Sequence, residues 1–303
     1  MNKIYVSWVL SFCCLLPVHM VAAVYDCFLF LNEIEILDIR LHEMDPYVDK
    51  FVLVESAETF RGNPKPFNFA ANASRFEKFS HKIIYVQVDQ HFETENPWDR
   101  ETFQRNQILR GLIDCQHDDI ILISDVDEIV RGREIPQLCN ALSKTPIVGV
   151  SHNYHSNFLN FPPSAQLWRG TVATIFRQIG QNTPQSLRGM KDLVPSAATG
   201  WHFTWQGDAE EIIYKLGAFS HAEADTPENH WAAREGFKHR AECPTVPVDD
   251  TFPAYVRENQ EYLLSIGYLR KHVTTEKPAP LKEHSSLQKI LHYLQNIYYQ
   301  CMH

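Results

Sequence analysis

Asp118-Asp119-Ile120-Ile121-Leu122-Ile123-Ser124-Asp125-Val126-Asp127-Glu128 decides how this chain folds. A four-residue aliphatic run, residues 120–123, reads as a buried strand that breaks off through Ser124 into the carboxylates Asp125, Asp127 and Glu128. In an open α/β sheet, ligands bind beyond the carboxyl ends of the strands. Asp125 and Asp127 are one residue apart, so in extended chain both side chains fall on one side. Two hard oxygen donors so placed suit Mg²⁺ or Mn²⁺ and leave coordination positions open for phosphate oxygens. A bare acidic turn is usually only solvated. The aliphatic strand that delivers this one favours a metal site that offsets charge on a leaving diphosphate.

Outward from that strand, the first half of the chain alternates two periodicities. Residues 27–31, 51–54 and 83–88 are further short apolar runs. Residues 34–44 place Ile34, Leu37, Leu41 and Met44 on one helical face, and residues 100–113 offer Phe103, Ile108, Leu109 and Leu112 to a core. Strand runs separated by helices predict an α/β fold with a mostly parallel central sheet flanked by helices. In the second half, residues 147–154 and 172–176 read as strands, and residues 210–216 and 229–241 as helices. After Pro244 the chain is rich in proline and polar residues, and it ends in an amphipathic stretch, residues 287–299.

The 303 residues are enough for a large core, and 44% hydrophobic with 21% charged residues is ordinary for a globular chain. The formal charge of −9 offers no basic footprint for duplex nucleic acid. At the N-terminus, Lys3 precedes an apolar run over residues 4–16, and Val21-Ala22-Ala23 has a small-residue cleavage pattern. That layout predicts a secretory signal peptide cleaved after Ala23. An uncleaved anchor is the competing reading, because residues 4–23 are just long enough to span a bilayer. Either places the chain in an exported or secretory compartment: periplasm, medium or Golgi-like lumen. The membrane is a partner only if the leader stays. Cys27, Cys115, Cys139, Cys243 and Cys301 are widely spaced without a CxxC, so no zinc site is signalled. Asn72-Ala73-Ser74 is a glycosylation sequon, relevant only in a eukaryotic secretory pathway.

Other charged residues join the candidate site. Glu55 ends the run 51–54 and is a candidate acceptor for ribose or base hydroxyls. Arg61 and Lys65 follow it as diphosphate ligands, and Arg105 of Gln104-Arg105-Asn106 suits a phosphate or a carboxylate. Trp201, Trp205, His202 and His221 combine ring faces with metal-ligating nitrogens and suit a sugar pocket. His202 and His221 are candidate third metal ligands. Glu223, Asp208 and Glu211 are candidate general bases.

Taken in order, these pieces resemble glycosyltransferase family 17. The resemblance is carried by Asp26-Cys27-Phe28-Leu29-Phe30, residues 33–40, Phe51-Val52-Leu53-Val54-Glu55-Ser56 and Thr59-Phe60-Arg61-Gly62 with Lys65-Pro66. Gln104-Arg105-Asn106, the strand into Asp125-Val126-Asp127-Glu128, Trp201-His202-Phe203-Thr204-Trp205 and Phe219-Ser220-His221-Ala222-Glu223 complete it, from about residue 25 to about 240. The family includes the β-1,4-mannosyl-glycoprotein 4-β-N-acetylglucosaminyltransferases. The resemblance implies a GT-A type nucleotide-diphospho-sugar transferase fold, a UDP-N-acetylglucosamine donor, a mannose-containing or other glycan or glycoprotein acceptor, and inversion with Mn²⁺ or Mg²⁺. It makes Asp125 and Asp127 the metal motif. It transfers no catalytic base. The expected organisation is a leader over 1–23, a transferase domain over 24–243 and a C-terminal extension over 244–303 packing on it. Two other classes stay open: a non-catalytic glycan- or nucleotide-binding module on this fold, and a metal-dependent phosphohydrolase, which would usually need more metal ligands.

Overall fold

The computed structural model describes residues 22–272. The leader and the amphipathic stretch 287–299 lie essentially outside these residues. Four parallel strands form the first half-sheet: β1 (Val24–Phe30), β2 (Lys50–Ser56), β3 (Ile83–Val88) and β4 (Ile120–Asp125). In β1, β2 and β4 both faces are covered, so their apolar runs have no solvent-facing side, whereas the edge strand β3 exposes Gln87. In β2, Phe51 and Leu53 enter one core cluster while Val52 and Val54 enter another. In β4, Ile120 and Leu122 divide from Ile121 and Ile123 in the same way. This is the period-2 geometry of a strand buried between two layers.

Helix α1 (Ile34–Met44) connects β1 to β2 and buries Ile36, Leu37, Ile39, Leu41 and Met44. A short α2 (Asn68–Ala71) and a 3₁₀ segment carry Phe69, Phe76 and Phe79 into the same core. Helix α3 (Pro97–Asn106) begins with proline in its first turn, where no amide donor is needed, and Asn96 accepts from the Trp98 amide. The single long helix expected over 100–113 instead tightens into a 3₁₀ turn at Gln107–Gly111. There Gly111 lies against Val52, and a Cβ would stand 2.4 Å from a valine methyl.

The second half-sheet adds β5 (Glu128–Val130), β6 (Ile147–His155), β7 (Trp168–Ile175) and β8 (Ser196–Phe203). The order is β3-β2-β1-β4-β7-β6-β8-β5, with β4–β7, β7–β6 and β8–β5 antiparallel and β6–β8 parallel. Helices α4 (Ile135–Leu142), α5 (Pro184–Arg188), α6 (Ala209–Ala218) and α7 (Pro227–Lys238) flank it. Beyond Pro244, Val246 donates to the Asn160 carbonyl, while Arg131 and the Trp201 indole donate to Thr251. Helices α8 (Ala254–Glu258) and α9 (Gln260–Ser265) sink Val256 and Leu263 into the main core. Among the described residues, no helix is long and apolar enough to cross a membrane.

Candidate active site

The site follows from the strand order. From β1 the chain crosses through α1 to β2 on one side, while β4 pairs with the other side of β1. Such a switch point opens a crevice at the carboxyl ends of the strands. Leu29 lies in register with Asp125 there, and a cavity of about 320 Å³ opens beside them. The chain does not stay extended through the acidic motif: β4 ends at Asp125, and Val126-Asp127 turns into β5. Both Asp125 and Asp127 nevertheless line the cavity.

The turn is fixed from below by Arg40, which is completely buried. Its guanidinium pairs with both oxygens of Asp26 (2.5 and 2.8 Å) and donates to the Ser124 hydroxyl. Nη1 also donates to the carbonyls of Asp125, Val126 and Glu128. A buried guanidinium needs such a full set of acceptors to offset desolvation.

Above the turn, each acid has cationic partners. Asp125 accepts from Arg105 of α3 at 2.8 Å and from Arg188 of α5 at 3.3 Å. Burial acts to raise its carboxyl, but the two guanidiniums overcome this and hold it at about 2. Asp127 accepts from Lys215 of α6 at 2.8 Å, with His202 Nε2 at 3.4 Å. Burial opposes ionisation there too, and Lys215 and then His202 keep the carboxyl well below its ordinary range. Lys215 also meets Glu33 at 3.0 Å. Arg105 reaches Glu101, whose other oxygen accepts from the Ser220 hydroxyl at 2.6 Å. Counted formally, the linked carboxylates Glu33, Glu101, Asp125, Asp127 and Glu128 face only Arg105, Arg188 and Lys215. The cluster is left one negative charge in excess with His202 protonated and two with it neutral.

Aromatic rings form the rest of the wall. His202 lies between Trp168 and Tyr154, with ring centroids 4.7 and 5.2 Å away. Trp205 meets Phe219 edge-on at 5.3 Å, and His221 packs on Trp98 at 4.7 Å. Apolar ring faces beside charged groups suit a sugar, which carries C–H faces and hydroxyl edges.

The model of glycosyltransferase family 17 matches residues 15–238. The chain belongs to glycosyltransferase family 17. As a family 17 chain it is similar to the human β-1,4-mannosyl-glycoprotein 4-β-N-acetylglucosaminyltransferase, with 32% identity over 218 residues covering 61% of this chain and 41% of the relative. The same enzyme of Rattus norvegicus is 32% identical over 218 residues, 61% of this chain and 40% of the relative. The chain thus spans about two fifths of the length of the curated relatives it matches. Among solved structures it is similar to the mannosyltransferase PcManGT from Pyrobaculum calidifontis in complex with GDP-Man and Mn²⁺, with a TM-score of 0.37 and 14% identity over 82% of this chain and 74% of that chain. It is also similar to S. aureus TarS 1–349, with a TM-score of 0.35 and 13% identity over 72% of this chain and 71% of that chain.

In this family 17 chain, Asp125, Asp127 and Arg105 come together as the sequence suggests, but other candidates do not. Glu55 is buried and its carboxylate is filled by Lys65, the Asn68 and Phe69 amides and the Tyr85 hydroxyl, so it is closed to a ribose. Lys65 touches the cavity wall, but its ammonium is spent on Glu55 and the Pro66 carbonyl. Arg61 is outside the wall and faces Asp225 at 3.7 Å. Asp208 and Glu211 are not at the cavity: they are the N-cap and third residue of α6, each accepting from the other's backbone amide. Glu223 points away, 57% exposed, with His221 as its partner. His221 lines the wall, but His202 is the histidine beside Asp127. Among the described residues, no three of His, Cys, Asp and Glu converge as a metal cage. Trp201 lies outside this cavity and under Arg131. Lys215, Arg188 and Trp168 were not legible as site residues, since none belongs to a spaced motif.

Proposed function

We propose that this chain is an inverting, metal-dependent N-acetylglucosaminyltransferase that uses UDP-N-acetylglucosamine and a mannose-containing glycan acceptor. The observation that supports this best is the pair Asp125 and Asp127 at the β1–β4 switch point, in a cavity shared by cations and aromatic rings. The donor set fits Mn²⁺ or Mg²⁺, because such ions commonly take one or two carboxylates and complete their shell with substrate phosphates. Asp125 and Asp127 would hold the ion. When bound, it supplies positive charge against the departing diphosphate.

The chain's own residues divide the remaining work. Arg105, Arg188 and Lys215 hold the two acids in place and bring positive charge to the diphosphate side. Trp168, Trp205 and Tyr154 present ring faces to sugar. During transfer the bond from the anomeric carbon to the UDP oxygen breaks as the acceptor oxygen bonds the opposite face, and the acceptor proton passes to a carboxylate. We assign that base to Glu101. Of the other cavity carboxylates outside the metal motif, Glu33 is tied to the Leu31 and Asn32 amides and Glu58 to the Phe92 amide. One oxygen of Glu101 meets only the rotatable Ser220 hydroxyl.

UDP release from UDP-N-acetylglucosamine, with and without a mannose-terminated oligosaccharide and Mn²⁺, tests the reading. Release that needs both is the expected result. Donor binding without transfer would favour a non-catalytic binding module. Glu101→Gln should keep donor affinity and lose kcat by about a hundredfold. Unchanged turnover removes Glu101 as the base. We place the chain in an exported or secretory compartment on the strength of its leader; N-terminal sequencing of the exported protein reads whether it begins near Val24 or retains Met1.

A further inference from the structure

Glu128 is fully buried and does not line the cavity, yet it touches three parts of the wall. Its Oε2 accepts from the Asp125 backbone amide at 3.0 Å. Its Oε1 accepts from the Trp168 indole at 2.6 Å and from Arg188 Nη2 at 2.6 Å. The space is made by Gly170, where a Cβ would stand 2.5 Å from the carboxyl carbon. The Glu128 carbonyl is gripped in turn by Arg40 Nη1 at 3.0 Å. One carboxylate therefore joins the acidic motif to the aromatic wall and to the guanidinium beside Asp125.

We infer that Glu128 is a positioning residue for sugar transfer, fixing Asp125 and the Trp168 ring relative to one another so that diphosphate and sugar are held in one frame. The inference rests on the glycosyl-transfer reading. Three donors converge on two oxygens, and only a carboxylate accepts on both sides. Glutamine keeps the shape but turns an NH₂ toward at least one donor, so the frame loosens without an empty space.

The frame can be read without turnover, because Ser124-Asp125 is the only Ser–Asp dipeptide in the chain. Labelling serine carbonyl carbon with ¹³C and aspartate nitrogen with ¹⁵N isolates the Asp125 amide in an NMR spectrum. Glu128→Gln should shift this amide and speed its hydrogen exchange about tenfold or more. Trp168→Phe removes the indole donor to Glu128 and should speed the exchange too. That effect should vanish once Glu128 is glutamine, whereas a route through His202 and Asp127 would persist. In kinetics, Glu128→Gln should lower kcat about thirtyfold with donor KM within about threefold. An Asp125 amide unmoved in Trp168→Phe overturns the coupling. A melting-point loss with normal kcat reduces Glu128 to a structural role, and an exchange effect of Trp168→Phe that persists in Glu128→Gln also overturns the inference. A wild type that transfers no sugar defeats the functional reading instead, and the amide spectra still decide the coupling.

Discussion

At the residue scale, a charged side chain looks the same in sequence whether it meets a ligand or another side chain. Asp125 and Asp127 were legible because an aliphatic strand delivers them to a known edge of the sheet. Glu55 ends a strand at that edge as well, and only the folded chain shows its carboxylate closed off by Lys65 and two amides. Lys215 was not legible because it reaches Asp127 across 88 residues of sequence. Replacing Asp127 with alanine should remove metal-dependent UDP binding and slow transfer about a hundredfold or more, roughly 3 kcal/mol. The fold should survive, because Lys215 keeps Glu33 at 3.0 Å. Asp125→Ala should be similar or milder. Calorimetric titration with UDP, with and without Mn²⁺, checks both, and wild-type affinity at limiting Mn²⁺ would refute the metal assignment.

At the scale of elements, strands β1 to β4 and helix α1 were legible from periodicity, as were the centres of β6, β7, α6 and α7. Strand β5 is three residues long, and β8 begins Ser196-Ala197-Ala198-Thr199-Gly200, so neither carries an apolar run to announce it. Helix α6 shows the opposite error. Asp208 and Glu211 drew notice as acids near aromatic residues, but their three-residue spacing is a capping box. Asp208→Ala should cost about 1 kcal/mol of stability, a downward shift in urea midpoint, and leave turnover per folded molecule near wild type. Glu223→Gln should change neither. A collapse of kcat in the folded Asp208 variant would return that residue to the catalytic machinery.

For the whole molecule, two buried histidines on β6 set an acid limit. Burial pushes His155 down to about 4, and burial together with nearby positive groups pushes His152 well below its ordinary value. Below the unfolded value of about 6.5, the unfolded chain takes up protons that the folded chain refuses. Stability is therefore full above about pH 6.5 and falls as pH drops toward 4, by up to about 1.4 kcal/mol per pH unit for each histidine. Urea midpoints at pH 7 and pH 5 measure the loss, and His155→Asn should reduce it to the share of His152.

The crevice between β1 and β4 also governs how the protein reaches its working state. Arg40 meets the Asp125 carbonyl across 85 residues, and the Ala23 amide meets Asp119 across 96. Bringing such distant segments together costs loop-closure entropy before any contact repays it. Competence to hold a nucleotide should thus be the last property regained after dilution from denaturant. Far-ultraviolet ellipticity should return first, and a fluorescent UDP analogue should register its pocket only in a later, slower phase. Simultaneous recovery of the two signals would show that this crevice assembles with the first strands.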